Sequence, residues 1–377
     1  MRVAMYYSNS DVRLENFPQP KISKDEVLMQ VEASGICGSD VMEWYRRDKV
    51  PLVLGHEVAG VIKEAGKSVK NFKAGDRIVA THHVSCGECK FCLDGHETVC
   101  DLLRKTHFDP GGFCEFLRLP VENLKFGTFK IPKNVSFEAA TFVEPLGCVL
   151  RGQRLAGMRK GKSVLVVGSG MAGLLHIKVA RYLGAQTIMA TDIDSFRLQK
   201  AKKFGADTVI NCRNYLEVSK KLSFPKALVG NPEEARTGPP TKTFGGDNLG
   251  EDVSKKILKI NRGRLADLVI ICVDAQTAFE QGLKSVERGG TVLIFTAAAK
   301  DACLPVPTNE IFWRNETTVM SSYAAAPRDL KEALKLISQK KITVEDMITH
   351  RLPLEKIQEG FDLVVRPKNS IKVIIQP

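Results

Sequence analysis

The chain has no hydrophobic run long enough to cross a bilayer as a helix. Its longest uninterrupted apolar stretch is Leu268 to Val273, where a spanning helix needs about 20 residues. Nor does it open with a secretory leader: Met1 to Tyr7 reads as a strand, so the expected compartment is the cytoplasm. No disulfide framework is spread along it. The ten cysteines are clustered, four of them within Cys86 to Cys100, and in an intracellular protein that crowding points to metal. A basic run interleaved with aromatics is also missing, although the formal charge is +12. Lysines and arginines are scattered along amphipathic segments such as Arg197 to Lys203 and Lys331 to Lys341, which read as solvated helix faces. Neither nucleic acid nor membrane is therefore an expected partner.

What is present is a 377-residue globular composition, 44% hydrophobic and 26% charged, of a size for two domains. Up to about residue 130, short β-rich runs (Glu26 to Glu32, Val58 to Glu64, Arg77 to Thr81, Phe113 to Leu119) alternate with Gly, Pro and Asn turns, which predicts an all-β domain. A helix pattern starts at Ser136, and the composition shift places a boundary near Glu144 to Leu150. Beyond it, strands are expected at Val164–Val167, Thr187–Thr191, Thr208–Asn211, Leu268–Val273, Thr291–Phe295 and Thr317–Ser321. Helical stretches separate them, the pattern of a doubly wound parallel sheet. The tail carries a helix (Asp329 to Gln339), a strand (Ile348 to Leu352), a second helix (Leu354 to Val364) and a last strand (Lys372 to Ile375), and should return to the first domain. The stretch Cys212 to Asp267 is far longer than a strand crossover requires. Its middle, 224–252, holds Pro225, Pro232, Pro239 and Pro240 and reads as an insertion.

The strand Val164 to Val167 runs into Gly168, Gly170 and Gly173, spaced G-x-G-x-x-G, and then into a helix that begins with Met171 and Ala172. The first glycine permits a tight turn, the second lets backbone N–H groups approach a pyrophosphate, and the third lets helix and strand pack closely. Asp192 follows at the end of the next strand, where a carboxylate accepts hydrogen bonds from a ribose 2′-OH. That favours NAD over NADP.

Cys86, Cys89, Cys92 and Cys100 form C-x2-C-x2-C-x7-C in a Gly-rich loop. Four thiolates close a tetrahedral zinc shell with no open position, so this zinc is expected to be structural. A different chemistry is indicated by Cys37, by His56 with Glu57, and by Glu144. A thiolate, an imidazole and a carboxylate leave a fourth zinc position for a substrate oxygen.

These stretches together resemble the zinc-dependent medium-chain dehydrogenase/reductase family, in its sorbitol and threonine dehydrogenase branch. The resemblance rests on Gly35-Ile36-Cys37-Gly38-Ser39-Asp40, Gly55-His56-Glu57-Val58-Ala59-Gly60, Gly75-Asp76-Arg77-Ile78, the four-cysteine lobe, Gly111-Gly112-Phe113 with Glu115, Glu144-Pro145, the glycine triplet and Thr349-His350-Arg351-Leu352-Pro353-Leu354. It implies a GroES-like β domain, residues 1–146 completed by 324–377, and a Rossmann NAD-binding domain, residues 147–323, that carries the 224–252 insertion. It implies Cys37 and His56 as ligands of a catalytic zinc, with Glu57 or Glu144 as the carboxylate. It also implies Ser39 as the first carrier of the substrate proton, and Arg197 near the adenosine end of the cofactor. Hydride transfer between a secondary alcohol or its ketone and NAD follows, with a homodimer or homotetramer as the assembly.

Met42 stands where threonine dehydrogenases place a histidine. Ser321-Ser322-Tyr323 replaces the Phe-Arg-Tyr usual in sorbitol dehydrogenases, so the resemblance names no single substrate. The run Trp44 to Lys49, tied at both ends to expected zinc ligands, makes Arg46 and Arg47 substrate candidates together with Tyr323, because a guanidinium suits a phosphate, a carboxylate or hydroxyls. The alternative to an enzyme is a non-catalytic NAD- or zinc-binding scaffold. Such a protein has no use for Cys37, Ser39, His56 and Glu57 together.

Overall fold

The computed structural model describes residues 1–213, 253–300, 302–304 and 306–377, so the predicted insertion at 224–252 lies outside the described residues. In chain order the strands are β1 (Arg2–Ser8), β2 (Asp11–Asn16), β3 (Val27–Gly35), β4 (Leu52–Val53), β5 (Glu57–Ala65), β6 (Arg77–Thr81), β7 (Phe116–Leu119) and β8 (Thr128–Lys130). There follow β9 (Ser163–Val167), β10 (Thr187–Asp192), β11 (Thr208–Asn211), β12 (Ala266–Ile271), β13 (Val286–Ile294), β14 (Thr318–Ser321), β15 (Ile348–Pro353) and β16 (Lys372–Gln376).

Three sheets result. β2-β1-β4 form a small one, β15-β16-β3-β5-β6-β8 with β7 on β3 a larger one, and β11-β10-β9-β12-β13-β14 a six-stranded sheet. Every pairing in the six-stranded sheet is parallel. β9 is buried throughout, and its alternation serves two layers: Val164 and Val166 join the core that holds Leu174 and Ile177, while Leu165 and Val167 join the core that holds Ile257 and Phe279. Burial on both faces is what a parallel sheet covered by helices demands, at about 1.5–3 kcal/mol for each large apolar side chain. β10 and β12 flank β9 on opposite sides, so chain direction across the sheet reverses there and a crevice opens at the strand ends. The tail returns as expected: β16 lies antiparallel on β3, with Ile374 opposite Gly35.

One expectation needs correction. The first part is not purely strand, because short helices occur at Glu43–Arg46, Lys90–Leu93, Asp101–Lys105 and Val121–Phe126. Such helices are too short to show a helical period. The stretch Glu144 to Leu150 lies in one continuous helix, Val143–Leu155, which packs on the helix Pro327–Ser338. Gly147 permits that approach, since a Cβ there would stand 3.1 Å from both Ala325 and Leu330 side-chain atoms.

Candidate active site

Strand register assembles the first group. β3 pairs with β5 so that Gly35, the last residue of β3, faces Glu57, the first of β5. Cys37 follows Gly35 in a turn closed by Asp40, whose Oδ2 accepts the Cys37 N–H at 2.9 Å, while the Asp40 N–H donates to the Cys37 carbonyl at 3.0 Å. Cys37, His56 and Glu57 then offer one donor atom each within 4.8 Å of one another.

Buried neighbours orient these donors. His56 Nδ1 lies 3.3 Å from Asp40 Oδ1, which leaves the other ring nitrogen to meet a metal. Burial alone would push His56 down; the charges of Asp40 and Cys37 more than reverse that and raise it well above the ordinary imidazole value. Burial likewise works against the Asp40 carboxylate, yet His56 and the Cys37 N–H hold it below the usual range. Glu57 is fully buried and paired through Oε2 with Lys372, also fully buried at the start of β16. A Cβ on Gly35 would overlap both Glu57 and Lys372, so the glycine makes room for the pair. Burial pushes the Glu57 carboxyl up and Lys372 opposes it. Glu57 Oε1 is buried with no hydrogen-bond partner. A thiolate, an imidazole nitrogen and an orphaned carboxylate oxygen suit zinc with one position open. Glu144 is not in this group: its Oε1 accepts from Cys148 Sγ at 3.4 Å in the first turn of Val143–Leu155.

The second metal-ligating group is the loop quartet. The Sγ atoms are 3.9 Å apart for Cys86 and Cys92, 3.5 Å for Cys89 and Cys92, and 3.6 Å for Cys86 and Cys100. A tetrahedral zinc with bonds of about 2.3 Å sets sulfurs about 3.8 Å apart, so the quartet fits. The loop is docked through Glu97, which meets Arg151 at 2.8 Å and Arg328 at 2.9 Å.

The glycine loop lies at the end of β9. Gly168 has φ +92°, and a Cβ on Gly173 would overlap the Gly168 carbonyl, so each glycine is required for a different reason. Gly170 caps the helix Met171–Tyr182, which opens with Met171 and Ala172. Arg197 Nη1 reaches to 4.0 Å from where a Gly170 Cβ would stand. The Asp192 carboxylate accepts the N–H groups of Ser169 at 2.7 Å, Ile193 at 2.8 Å and Asp194 at 2.9 Å. A glycine loop at a helix start, flanked by a cation and an acid, can hold a dinucleotide.

Of the substrate candidates, Arg46 is half-buried and donates from Nη2 to the Ser39 carbonyl at 3.2 Å, whereas Arg47 is exposed. Tyr323 lies 58% exposed just past β14. It is near enough to Tyr45, Glu144 and His56 for burial first, and then Tyr45 and Glu144, to raise its hydroxyl, with His56 opposing. Residues that follow strands of both large sheets therefore lie near one another here. Sequence reasoning missed Lys372 and the positioning role of Asp40. It also missed a row of rings running outward from His56: His82 at 4.9 Å between centroids, His83 at 3.6 Å from His82, and His107 at 5.5 Å from His83. A lone lysine inside the apolar run Ile371 to Ile375, and the adjacent pair His82-His83, were the available signals.

A fold of this kind with these two sites defines a dehydrogenase that works with zinc and a nicotinamide dinucleotide. Comparison agrees. Residues 23–133 match the alcohol dehydrogenase GroES-like domain, and residues 172–228 and 242–339 match the zinc-binding dehydrogenase domain. The chain is 30% identical over 370 residues to an L-threonine 3-dehydrogenase of Bacillus licheniformis, covering 96% of this chain and 94% of that one. It is 30% identical over 360 residues to a sorbitol dehydrogenase of Homo sapiens, covering 93% and 89%. Among solved structures, a zinc-binding dehydrogenase of Sinorhizobium meliloti 1021 bound to NADP superposes with a TM-score of 0.77 at 26% identity, over 100% of this chain and 99% of that one. The chain belongs to the zinc-dependent medium-chain dehydrogenase family and is an oxidoreductase of small-molecule alcohols that uses zinc and a nicotinamide cofactor. Among the described residues no helix is long and apolar enough to cross a membrane.

Proposed function

We propose that the protein transfers hydride between a secondary hydroxyl of a polyol, sugar alcohol or amino alcohol and NAD, with Cys37, His56 and Glu57 as the ligands of the catalytic zinc. The convergence of those three donors, with Glu57 Oε1 buried and unpartnered, is the observation that carries this reading. When bound, zinc supplies Lewis acidity at a substrate oxygen and the nicotinamide supplies the hydride acceptor. The chain's own residues do the rest. Asp40 fixes the His56 ring, Lys372 holds the second Glu57 oxygen, and Ser39, two residues past Cys37, takes the hydroxyl proton and passes it outward. The alcohol thereby loses a proton and a hydride and leaves as the ketone; the reverse reaction takes both back. Cys86, Cys89, Cys92 and Cys100 hold the structural zinc, and Glu144 stands beside the catalytic group without completing it.

Gly168, Gly170, Met171, Ala172 and Gly173 receive the pyrophosphate, Asp192 the adenosine ribose, and Arg197 the neighbouring phosphate. A 2′-phosphate would meet the Asp192 charge, which supports NAD as the preferred cofactor. The GroES-like unit is residues 1–146 with 324–377 and the Rossmann unit 147–323. The terminal strand β14 of the six-stranded sheet lies near Trp313, which is 67% exposed, and an edge of that kind suits a homodimer or homotetramer. All ten cysteines are unpaired, as in the reducing cytoplasm.

The test is NADH formation from a panel of polyols and amino alcohols with NAD and with NADP, in wild type and Asp192→Ser. We expect wild type to prefer NAD, and the variant to shift the kcat/KM ratio toward NADP by roughly tenfold or more, since a like charge is removed from the 2′ position. The variant should also lose some stability, because Asp192 anchors three N–H groups. A wild-type preference for NADP, or no turnover of any alcohol, contradicts the reading.

A further inference from the structure

We propose that the mouth of the active site is an oxyanion subsite, so that the true substrate carries a carboxylate or a phosphate away from its reacting hydroxyl; this rests on the dehydrogenase reading of the same site. The subsite is built from Arg46, Lys49, His83 and His107, contributed by three separate segments.

Arg46 is the inner member. Its bond to the Ser39 carbonyl holds the guanidinium beside the residue that handles the substrate proton. Its Nε is buried with no hydrogen-bond partner, a donor left unsatisfied at a cost unless something occupies the space. Lys49 is the outer member. Lys49 Nζ lies 3.6 Å and Arg46 Cζ 4.9 Å from the centroid of the same Tyr45 ring, so both cations are held against one side chain. Neither makes an ion pair among the described residues. Glu43 and Asp48, on the same turn, are exposed, and the Glu43 charge is felt at Tyr6.

Imidazoles stand near these cations. His107 is depressed by burial and then by Lys49 and Arg46, which puts it in the field of both cations. His83 Nδ1 lies 3.2 Å from the Thr106 carbonyl, and the His82 Nδ1 behind it is buried and unpartnered. Cations and imidazoles therefore line the path from the metal-ligating group to the rim, a wall that attracts an anion and leaves donors idle without one. A neutral polyol would satisfy the hydrogen bonds and bring no charge to Arg46 and Lys49, of which Arg46 already feels the buried Asp40 carboxylate. A carboxylate or a phosphate satisfies both, and a guanidinium meets either in a bidentate manner.

Two measurements on the zinc-loaded protein decide this. In the first, matched substrates are compared for NADH formation: alditols, the aldonates that differ by a terminal carboxylate, and the alditol phosphates. We expect one anionic set to exceed the alditols in kcat/KM by at least tenfold, and Arg46→Gln to reduce that preference by at least tenfold, with Lys49→Gln reducing it less. NADH affinity should stay within twofold. In the second, the fluorescence of Trp44, one of only two tryptophans, is titrated with inorganic phosphate and with malonate in a Trp313→Phe background. We expect saturable quenching by one of the two anions, which separates phosphate from carboxylate, and its loss in Arg46→Gln. Equal use of alditols and their anionic partners, equal losses for both in Arg46→Gln, or quenching that survives the substitution overturns the subsite. Arg46-dependent quenching without turnover of any alcohol would uphold the subsite and sink the dehydrogenase reading instead.

Discussion

Cys37→Ser should reduce kcat/KM by at least about 10³-fold while the protein stays folded and keeps one zinc per chain. A metal acting as Lewis acid is worth several kcal/mol at a reacting oxygen, and each 1.36 kcal/mol is a factor of ten in rate. The fold should tolerate the change because the turn around Cys37 is held by backbone groups: its N–H to Asp40 Oδ2 and its carbonyl from the Asp40 N–H. Serine keeps both. Glu57, Lys372 and Asp40 remain packed behind it, so the melting temperature should move by no more than a few degrees. Metal analysis by mass spectrometry together with NADH kinetics checks the result. Loss of both zincs with unfolding, or retention of activity, would show that Cys37 does not hold the catalytic metal.

Cys89→Ser should produce the opposite pattern. Its sulfur is 3.5 Å from that of Cys92, and its own N–H donates to Cys86 Sγ at 3.3 Å, so the substitution opens the tetrahedron and should release the structural zinc. Structural zinc sites contribute folding energy directly. Little else holds the loop: its buried cluster contains only Cys92, Cys100 and Leu103, with Cys86, Cys89 and Leu102 packed against them. Losing the metal should therefore free Glu97 from Arg151 and Arg328. Arg151 is 2% exposed, and without Glu97 its buried guanidinium keeps only the longer contact to Asp329, at 3.9 Å, which costs stability. We expect a fall in melting temperature on the order of 10 °C, as several kcal/mol would give in a domain of this size, with the remaining zinc still bound near Cys37. Unchanged stability at one zinc per chain would mean that the lobe is not metal-held.

Much of this was legible in the sequence because the relevant residues are close in the chain. The cysteine quartet and the glycine triplet declare themselves by spacing, and the six strands of the parallel sheet by their apolar runs. The ends of those strands shifted by a few residues: β13 starts at Val286 instead of Thr291, with Gly289 at φ +69° inside it. What could not be read was whatever strand pairing creates. Which carboxylate joins Cys37 and His56 is set by the register of β3 and β5, which brings Glu57 there, and Glu57 finds Lys372 across 315 residues because β16 returns beside β3. Composition near Glu57 says nothing of a lysine at the far end of the chain. Likewise His82, His83 and His107 became one wall only once the segment after β6 and the segment before β7 were folded against each other. Arg46 and Arg47 looked equivalent as neighbours in sequence; the short helix ending at Arg46 turns one inward to Ser39 and leaves the other outside.

The central claim, that catalysis depends on zinc held by Cys37, His56 and Glu57, is tested most directly by returning metal to depleted enzyme. Protein dialysed against a chelator until one zinc per chain remains should be folded and inactive. As zinc is titrated back, NADH formation from a secondary alcohol should rise in proportion and level off when the second zinc per chain is in place. Full activity at one zinc per chain, or a second zinc that binds without restoring turnover, would contradict the account.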